Sequence, residues 1–161
     1  MTQPLPPTGR LAGIDYGRRR IGIAICDAER LIASPLLVHE TTGDRTTDAR
    51  VFSKLVENEE LVGFVIGLPI HADGRRSEMS AEVERFTAWL TETTGLPAAF
   101  QDERYTSREA SGLMRPARLS RGRKKARQDA IAAQVILSGW LERQDSLRPA
   151  NVSPPQEPLD D

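Results

Sequence analysis

Aromatic side chains make up only 5% of this 161-residue chain: two tryptophans, two tyrosines and four phenylalanines. Proteins that read bases in single-stranded RNA splay them out, hold them by stacking on such rings and read their edges by hydrogen bonds. Their scarcity argues against that mode, and for recognition of backbone and shape in any nucleic-acid partner. Cysteine is nearly absent. The single Cys26, set in an apolar run, excludes an internal disulfide framework and fits a reducing compartment such as the cytoplasm. The two histidines, His39 and His71, are far apart, and no His/Cys cluster of the kind zinc prefers is present. His39 follows an apolar strand and reads as a surface residue; His71 reads as a loop residue. No apolar run approaches the roughly 20 residues of a membrane span, so no membrane partner is expected. Met1 to Gly9 holds three prolines and no apolar core, which excludes a secretory signal there. With a net charge of −1, no field of the whole molecule attracts a polyanion.

What is present is an ordinary globular composition, 39% hydrophobic and 28% charged, long enough for one domain with a real core. Residues 1–9 read as a disordered lead-in. Residues 144–161 carry Pro149, Pro154, Pro155 and Pro158 and read as a disordered proline-rich tail. The folded body is expected over 10–143.

Within it, Leu11 to Asp15 and Ile21 to Cys26 are apolar runs separated by Gly17 and three arginines, a hairpin signature. Leu31 to Val38 is strand-like but contains Pro35, which places it at a sheet edge or at a break. Thr46 to Asn58 has helical spacing. Leu61 to Gly67 is almost continuously apolar, the mark of a strand buried on both faces. A loop to Arg76 follows. Ser77 caps a helix to about Thr93, which Gly95 and Pro97 end. Ala98 to Gln101 is a short strand, Ser107 to Leu113 a short helix, and a last helix opens near Asp129 and runs to about Arg143. This order predicts an α/β domain whose mixed sheet joins an antiparallel three-strand meander to parallel strands, flanked by helices.

Three carboxylates stand at element ends. Asp15 ends the first strand, Glu103 follows the last strand, and Asp129 opens the last helix. Parallel sheets bind ligands at the carboxyl ends of their strands. Ala130, Ala132 and Ala133 let the last helix lie close to the sheet, which brings Asp129 to the same edge. Three converging carboxylates repel one another unless a cation joins them, and oxygen-only ligands select a hard ion, Mg²⁺ or Mn²⁺. The bland readings are a helix cap at Asp129 and ion pairs of Glu103 with Arg104 or Arg108. Asp102 falls on the opposite strand face from Glu103.

Basic residues cluster around these acids. Arg18, Arg19 and Arg20 follow Asp15. Arg75 and Arg76 lie in the loop after the buried strand. Arg115, Arg118, Arg121, Arg123, Lys124, Lys125 and Arg127 precede Asp129 with no acid between them. Basic runs beside metal-binding acids point to a polyanion lying across a metal site. The matching chemistry is phosphodiester hydrolysis with two hard cations roughly 4 Å apart. Gly17 and Gly22 are expected to let a phosphate approach the hairpin turn. Thr106 and Ser107 cap a helix or hold a phosphate. Arg104 contacts the scissile phosphate or holds Glu103 in place. Tyr16 and Tyr105 stack on a splayed base or pack on the rim.

Gly13-Ile14-Asp15-Tyr16-Gly17 with Ile21 to Ala24, Gly67-Leu68-Pro69 with Asp73-Gly74, Asp102-Glu103-Arg104 with Thr106-Ser107, and Asp129 with Ala132-Ala133 together resemble the YqgF family, also called RuvX or Holliday junction resolvase-like. The resemblance covers nearly all of Arg10 to Arg143. It implies an RNase H-like fold and a cytoplasmic, Mg²⁺- or Mn²⁺-dependent nuclease acting at the 5′ end of pre-16S ribosomal RNA, with ribosomal particles as partners. It also implies Asp15, Glu103 and Asp129 as catalytic metal ligands. An older assignment within the family is cleavage of branched DNA. RuvC-type resolvases resemble this fold but carry a fourth acid one helical turn beyond the third; here that position is Ala132, which weighs against junction resolution. Two other classes compete. A sugar-kinase-type ATPase needs a second lobe that this length does not supply. A catalytically silent RNA-binding assembly factor would not need all three acids. Oligomeric state is not legible.

Overall fold

The first two apolar runs pair as a hairpin because Gly17 closes it: a side-chain carbon there would lie 2.6 Å from the Arg20 carbonyl oxygen. The computed structural model describes residues 4–69, 77–102 and 121–147. Among them, strands β1 (Arg10–Tyr16), β2 (Arg20–Cys26) and β3 (Ala33–Glu40) are followed by helix α1 (Arg45–Glu59) and strand β4 (Leu61–Leu68). Helix α2 (Glu78–Thr94), strand β5 (Ala98–Asp102) and helix α3 (Arg121–Leu147) complete the order.

The sheet order is β3-β2-β1-β4-β5. The pairs β1–β2 and β2–β3 are antiparallel, and β1–β4 and β4–β5 are parallel, so the mixed sheet predicted above is the one formed. β3 lies at an edge, and its register shifts where Ala24 meets Pro35. That is where a residue without an N–H is tolerated. β4 is covered on both faces and is almost entirely buried.

Alternation along the strands splits the core into two layers. Ala12, Ile14, Ile21, Ile23, Phe64 and Ile66 face α1 and α2 with Phe52, Val83 and Leu90. Leu11, Ala24, Cys26 and Val65 face α3 with Ala133, Ile136 and Leu137. α3 lies unusually close to the sheet: a side-chain carbon at Gly13 would come within 2.7 Å of both the Ala133 carbonyl oxygen and the Leu137 Cβ. α1 and α2 begin at side-chain caps, Asp44 and Ser77, and end at left-handed Glu60 and Gly95.

Four expectations change. α3 begins at Arg121, so Asp129 lies inside a helix and is not its cap. Arginine and lysine are good helix formers, and the basic stretch before Asp129 is therefore helical from Arg121. α3 also runs on to Leu147, past the expected end of the body. Residues 4–9 are tied down: Leu5 packs on the α3-side core, and Arg30 donates to the carbonyls of Gly9 and Pro6 at 2.8 and 2.6 Å. His39 is not a surface residue. It sits on the inner face of β3, 10% exposed, with Nε2 2.8 Å from Asp48 Oδ1 and its ring edge-on to Phe52. The short helix from Ser107, His71 and Tyr105 lie outside the described residues. No helix among those described is long and apolar enough to cross a membrane.

Candidate active site

β1, β4 and β5 run parallel and end at one edge of the sheet. Asp15 is the penultimate residue of β1 and is partly buried. Alternation places it on the α3 face with Leu11 and Gly13, while Tyr16 turns to the opposite face. Its cross-strand partner is Gly22. A side-chain carbon at Gly22 would collide with the backbone carbonyl of Asp129. The structure thus brings Asp15 and Asp129 to either side of one glycine, although their positions in the sequence are far apart. This corrects the role expected of Gly22. The space over it is filled by α3, not held open for a phosphate. At Gly17 the bare backbone also closes the turn on the Arg20 carbonyl.

The paired row Ile14–Ile66–Phe100 fixes the next row as Asp15, Gly67 and Gln101. Asp15 and Gln101 stand two strand spacings apart, roughly 10 Å, with no side chain between them on β4. Gln101 is 1% exposed, and its Oε1 has no hydrogen-bond partner among the described residues. A buried amide oxygen left in that state costs about 1–3 kcal/mol. Sequence reasoning passed over Gln101; its one available signal was a polar residue two positions before Glu103 in an otherwise apolar strand.

The predicted basic residues separate onto different faces. Arg20 shares the α3 face with Gly22 by alternation. Arg19 is exposed at the turn, and its carbonyl accepts from the Thr41 N–H at 2.9 Å. Arg18 turns the other way and grips Glu82, with Nε 3.1 and 3.0 Å from the two carboxylate oxygens. Tyr16 also donates to Glu82, at 3.3 Å. Burial, and then the Glu82 charge, push the Tyr16 phenol above its ordinary pKa, so it stays a donor. Arg121, Arg123, Lys124, Lys125 and Arg127 occupy the first two turns of α3, immediately before Asp129. Glu103, Arg104, Thr106, Ser107, Arg75 and Arg76 lie outside the described residues.

The oxygen donors among the described residues are of the kind that a hard divalent cation takes: the carboxylates of Asp15 and Asp129, and the Gln101 Oε1, which has no partner among the described residues and stands in the same row as Asp15. Among the described residues no three His, Cys, Asp or Glu side chains form a metal-holding group; the third proposed acid, Glu103, follows directly on the end of β5.

Comparison with known proteins agrees with this architecture. The RuvX family, described as Holliday junction resolvase, matches residues 9–143. A Rhodopirellula baltica protein named "Putative pre-16S rRNA nuclease" is 48% identical over 137 residues, covering 85% of this chain and 79% of its own. Proteins of the same name from Paracoccus denitrificans and Chromobacterium violaceum are 38% and 42% identical, covering 88% and 80% of this chain and 89% and 94% of their own. Among solved structures, Thermus thermophilus RuvC in complex with a Holliday junction substrate superposes with a TM-score of 0.54 at 14% identity, over 84% of this chain and 96% of that one. The fold is RNase H-like, as the resemblance implied.

Proposed function

For a chain that belongs to the RuvX family, we propose metal-dependent hydrolysis of phosphodiester bonds in RNA, acting at the 5′ end of pre-16S ribosomal RNA within ribosomal particles. The observation that carries the reading is the meeting of Asp15 and Asp129 across Gly22 at the carboxyl edge of the parallel strands. Asp15, Asp129 and Glu103 would hold Mg²⁺ or Mn²⁺, and Gln101 would offer them a neutral oxygen. Two such ions, when bound, supply a water nucleophile at neutral pH and neutralise charge on the leaving oxygen.

The chain's own contribution is placement. The close seat of α3 on Gly13 and Gly22 fixes where Asp129 stands relative to Asp15. Arg20 on the same face, and the basic first turns of α3, give a backbone phosphate its electrostatic seat. These contacts carry no base sequence. The names of the curated relatives favour ribosomal RNA as substrate. The family description keeps a second reading, a four-way DNA junction, which Ala132 in place of a fourth acid weighs against.

The test is a cleavage assay with Mg²⁺ or Mn²⁺ on a structured RNA carrying the 5′ pre-16S leader, on single-stranded RNA and on a four-way DNA junction, run beside Asp15→Asn. The leader RNA is expected to be cut by the parent and left intact by the variant. Equal rates for parent and Asp15→Asn refute the mechanism; preferential cutting of the junction refutes the RNA assignment.

A further inference from the structure

On the face of the sheet away from Asp15, a cleft of about 470 Å³ opens between α1, α2 and the β1–β2 turn. That is within the range of small-molecule sites, about 300–1,000 Å³. Four of the chain's eight aromatic residues line it: Tyr16, Phe52, Phe86 and Trp89. The rings pack against one another, tilted for Tyr16–Phe86 and Phe86–Trp89, with centroids 4.7 and 5.8 Å apart, and edge-to-face for Phe52–Trp89, with centroids 5.9 Å apart. Phe52 is fully buried beneath; the other three are half-buried and form the wall.

The rim is charged, and its charges are unequally committed. Both lining carboxylates are engaged. Asp48 accepts from His39 at 2.8 Å and from the Thr42 N–H at 3.2 Å. Glu82 is held by Arg18 and Tyr16. Arg45 and Arg85 also line the cleft, both exposed. Neither is held in an ion pair among the described residues. Arg45 is the first residue of α1, where the helix dipole adds positive potential. Two uncommitted guanidinium groups over an aromatic wall are complementary to a phosphate joined to a flat, stackable ring.

We propose that this cleft is a nucleotide subsite, taking one base with its phosphate from the single-stranded RNA that flanks the cleaved bond. The position supports it. Tyr16 follows Asp15 directly and turns to the opposite face, so the cleft and the acids are separated by the end of one strand. An RNA strand crossing the turn at Gly17, Arg18 and Arg19 passes from one to the other. Arg18, expected at the acids, belongs to this side of the crossing. Stacking tolerates any base, which agrees with a chain too poor in aromatics for sequence reading. The inference rests on the nuclease reading only for the identity of the strand.

Trp89 is its own reporter. In a Trp140→Phe background it is the sole tryptophan, and its fluorescence is titrated with AMP and with a short oligoadenylate in EDTA, where no cleavage occurs. Saturable quenching by the oligoadenylate is expected, with a dissociation constant at least about tenfold higher in the exposed-site variant Arg45→Ala/Arg85→Ala. In cleavage assays the same variant should raise KM and leave kcat unchanged, a split that a merely structural role would not produce. Absence of quenching, quenching indifferent to the two arginines, or quenching by an acidic peptide but not by the oligoadenylate overturns the proposal. If the protein cuts no RNA but the arginine-dependent quenching persists, the nuclease reading fails and the subsite stands. If it cuts RNA without quenching, the subsite alone fails.

Discussion

The backbone carbonyl of Asp129 rests against Gly22, in the space that a side chain would take at that position. Gly22 is in turn the cross-strand partner of Asp15. One missing side chain therefore sets the separation of the two acids. Gly22→Ala should push the middle of α3 away from the sheet and cost about 1–3 kcal/mol of stability, the usual range for overpacking. Cleavage should fall further than stability accounts for, measured at a temperature where the variant remains folded by circular dichroism. A variant with parental melting temperature and rate would show that α3 does not position the site.

The basic residues before Asp129 are part of α3, so alanine can replace them without breaking the helix. Substituting Arg121, Arg123, Lys124, Lys125 and Arg127 together should weaken RNA binding. It should also reduce the slope of log affinity against log salt by roughly 0.7–0.9 for each phosphate that the variant no longer neutralises. Fluorescence anisotropy across a KCl series reads the slope. An unchanged slope would place this stretch off the substrate path.

Asp48 joins the loop before α1 to the edge strand. Burial pushes its carboxyl pKa up, but the hydrogen bonds from His39 and Thr42 outweigh this and hold it below the ordinary value of 3.8. A carboxyl whose folded pKa is depressed adds stability that is fully present above its unfolded pKa and is lost as pH falls through the folded one. The parent should therefore lose this stabilisation progressively below about pH 4, whereas Asp48→Asn should have a flatter acid limb. Melting temperatures recorded between neutral and acid pH decide it; identical acid limbs would mean that the pair with His39 is not coupled to folding.

Gln101 shares its row with Asp15, and its buried oxygen lacks a partner among the described residues. If that oxygen serves the cation, directly or through a water, Gln101→Leu should weaken Mn²⁺ binding about 10–100-fold, as removal of an outer-shell partner does. Calorimetric titration of the folded variant with Mn²⁺ measures this apart from activity. Parental affinity would leave Gln101 as a core residue only.

The strands, their order along the chain and the spans of α1 and α2 were legible because each rests on local rules. Period-two and continuous apolar runs, Gly17 at the turn, Pro35 at the edge, and Ser77 and Gly95 around α2 all act within a few residues of themselves. Family membership was legible because its motifs are short and ordered. The start of α3 was misread because a run of arginine and lysine looks like a solvated connection, although each is a good helix former. His39 was misread because an edge strand still has one buried face, and only the placement of α1 says which.

Local pattern alone specifies an α/β chain with a hairpin strand that carries Asp15 near its end, two further acids, and positive charge gathered beside them. It took packing between distant segments to make Gly22 the seat of Asp129, to turn Arg18 and Arg20 to opposite sides of the sheet, and to gather half of a scarce set of aromatics into one cleft. The reason is physical. Local propensity acts over a turn or a strand, whereas these relationships join distant segments, set by how closely α3, α1 and α2 pack on the two faces of one sheet.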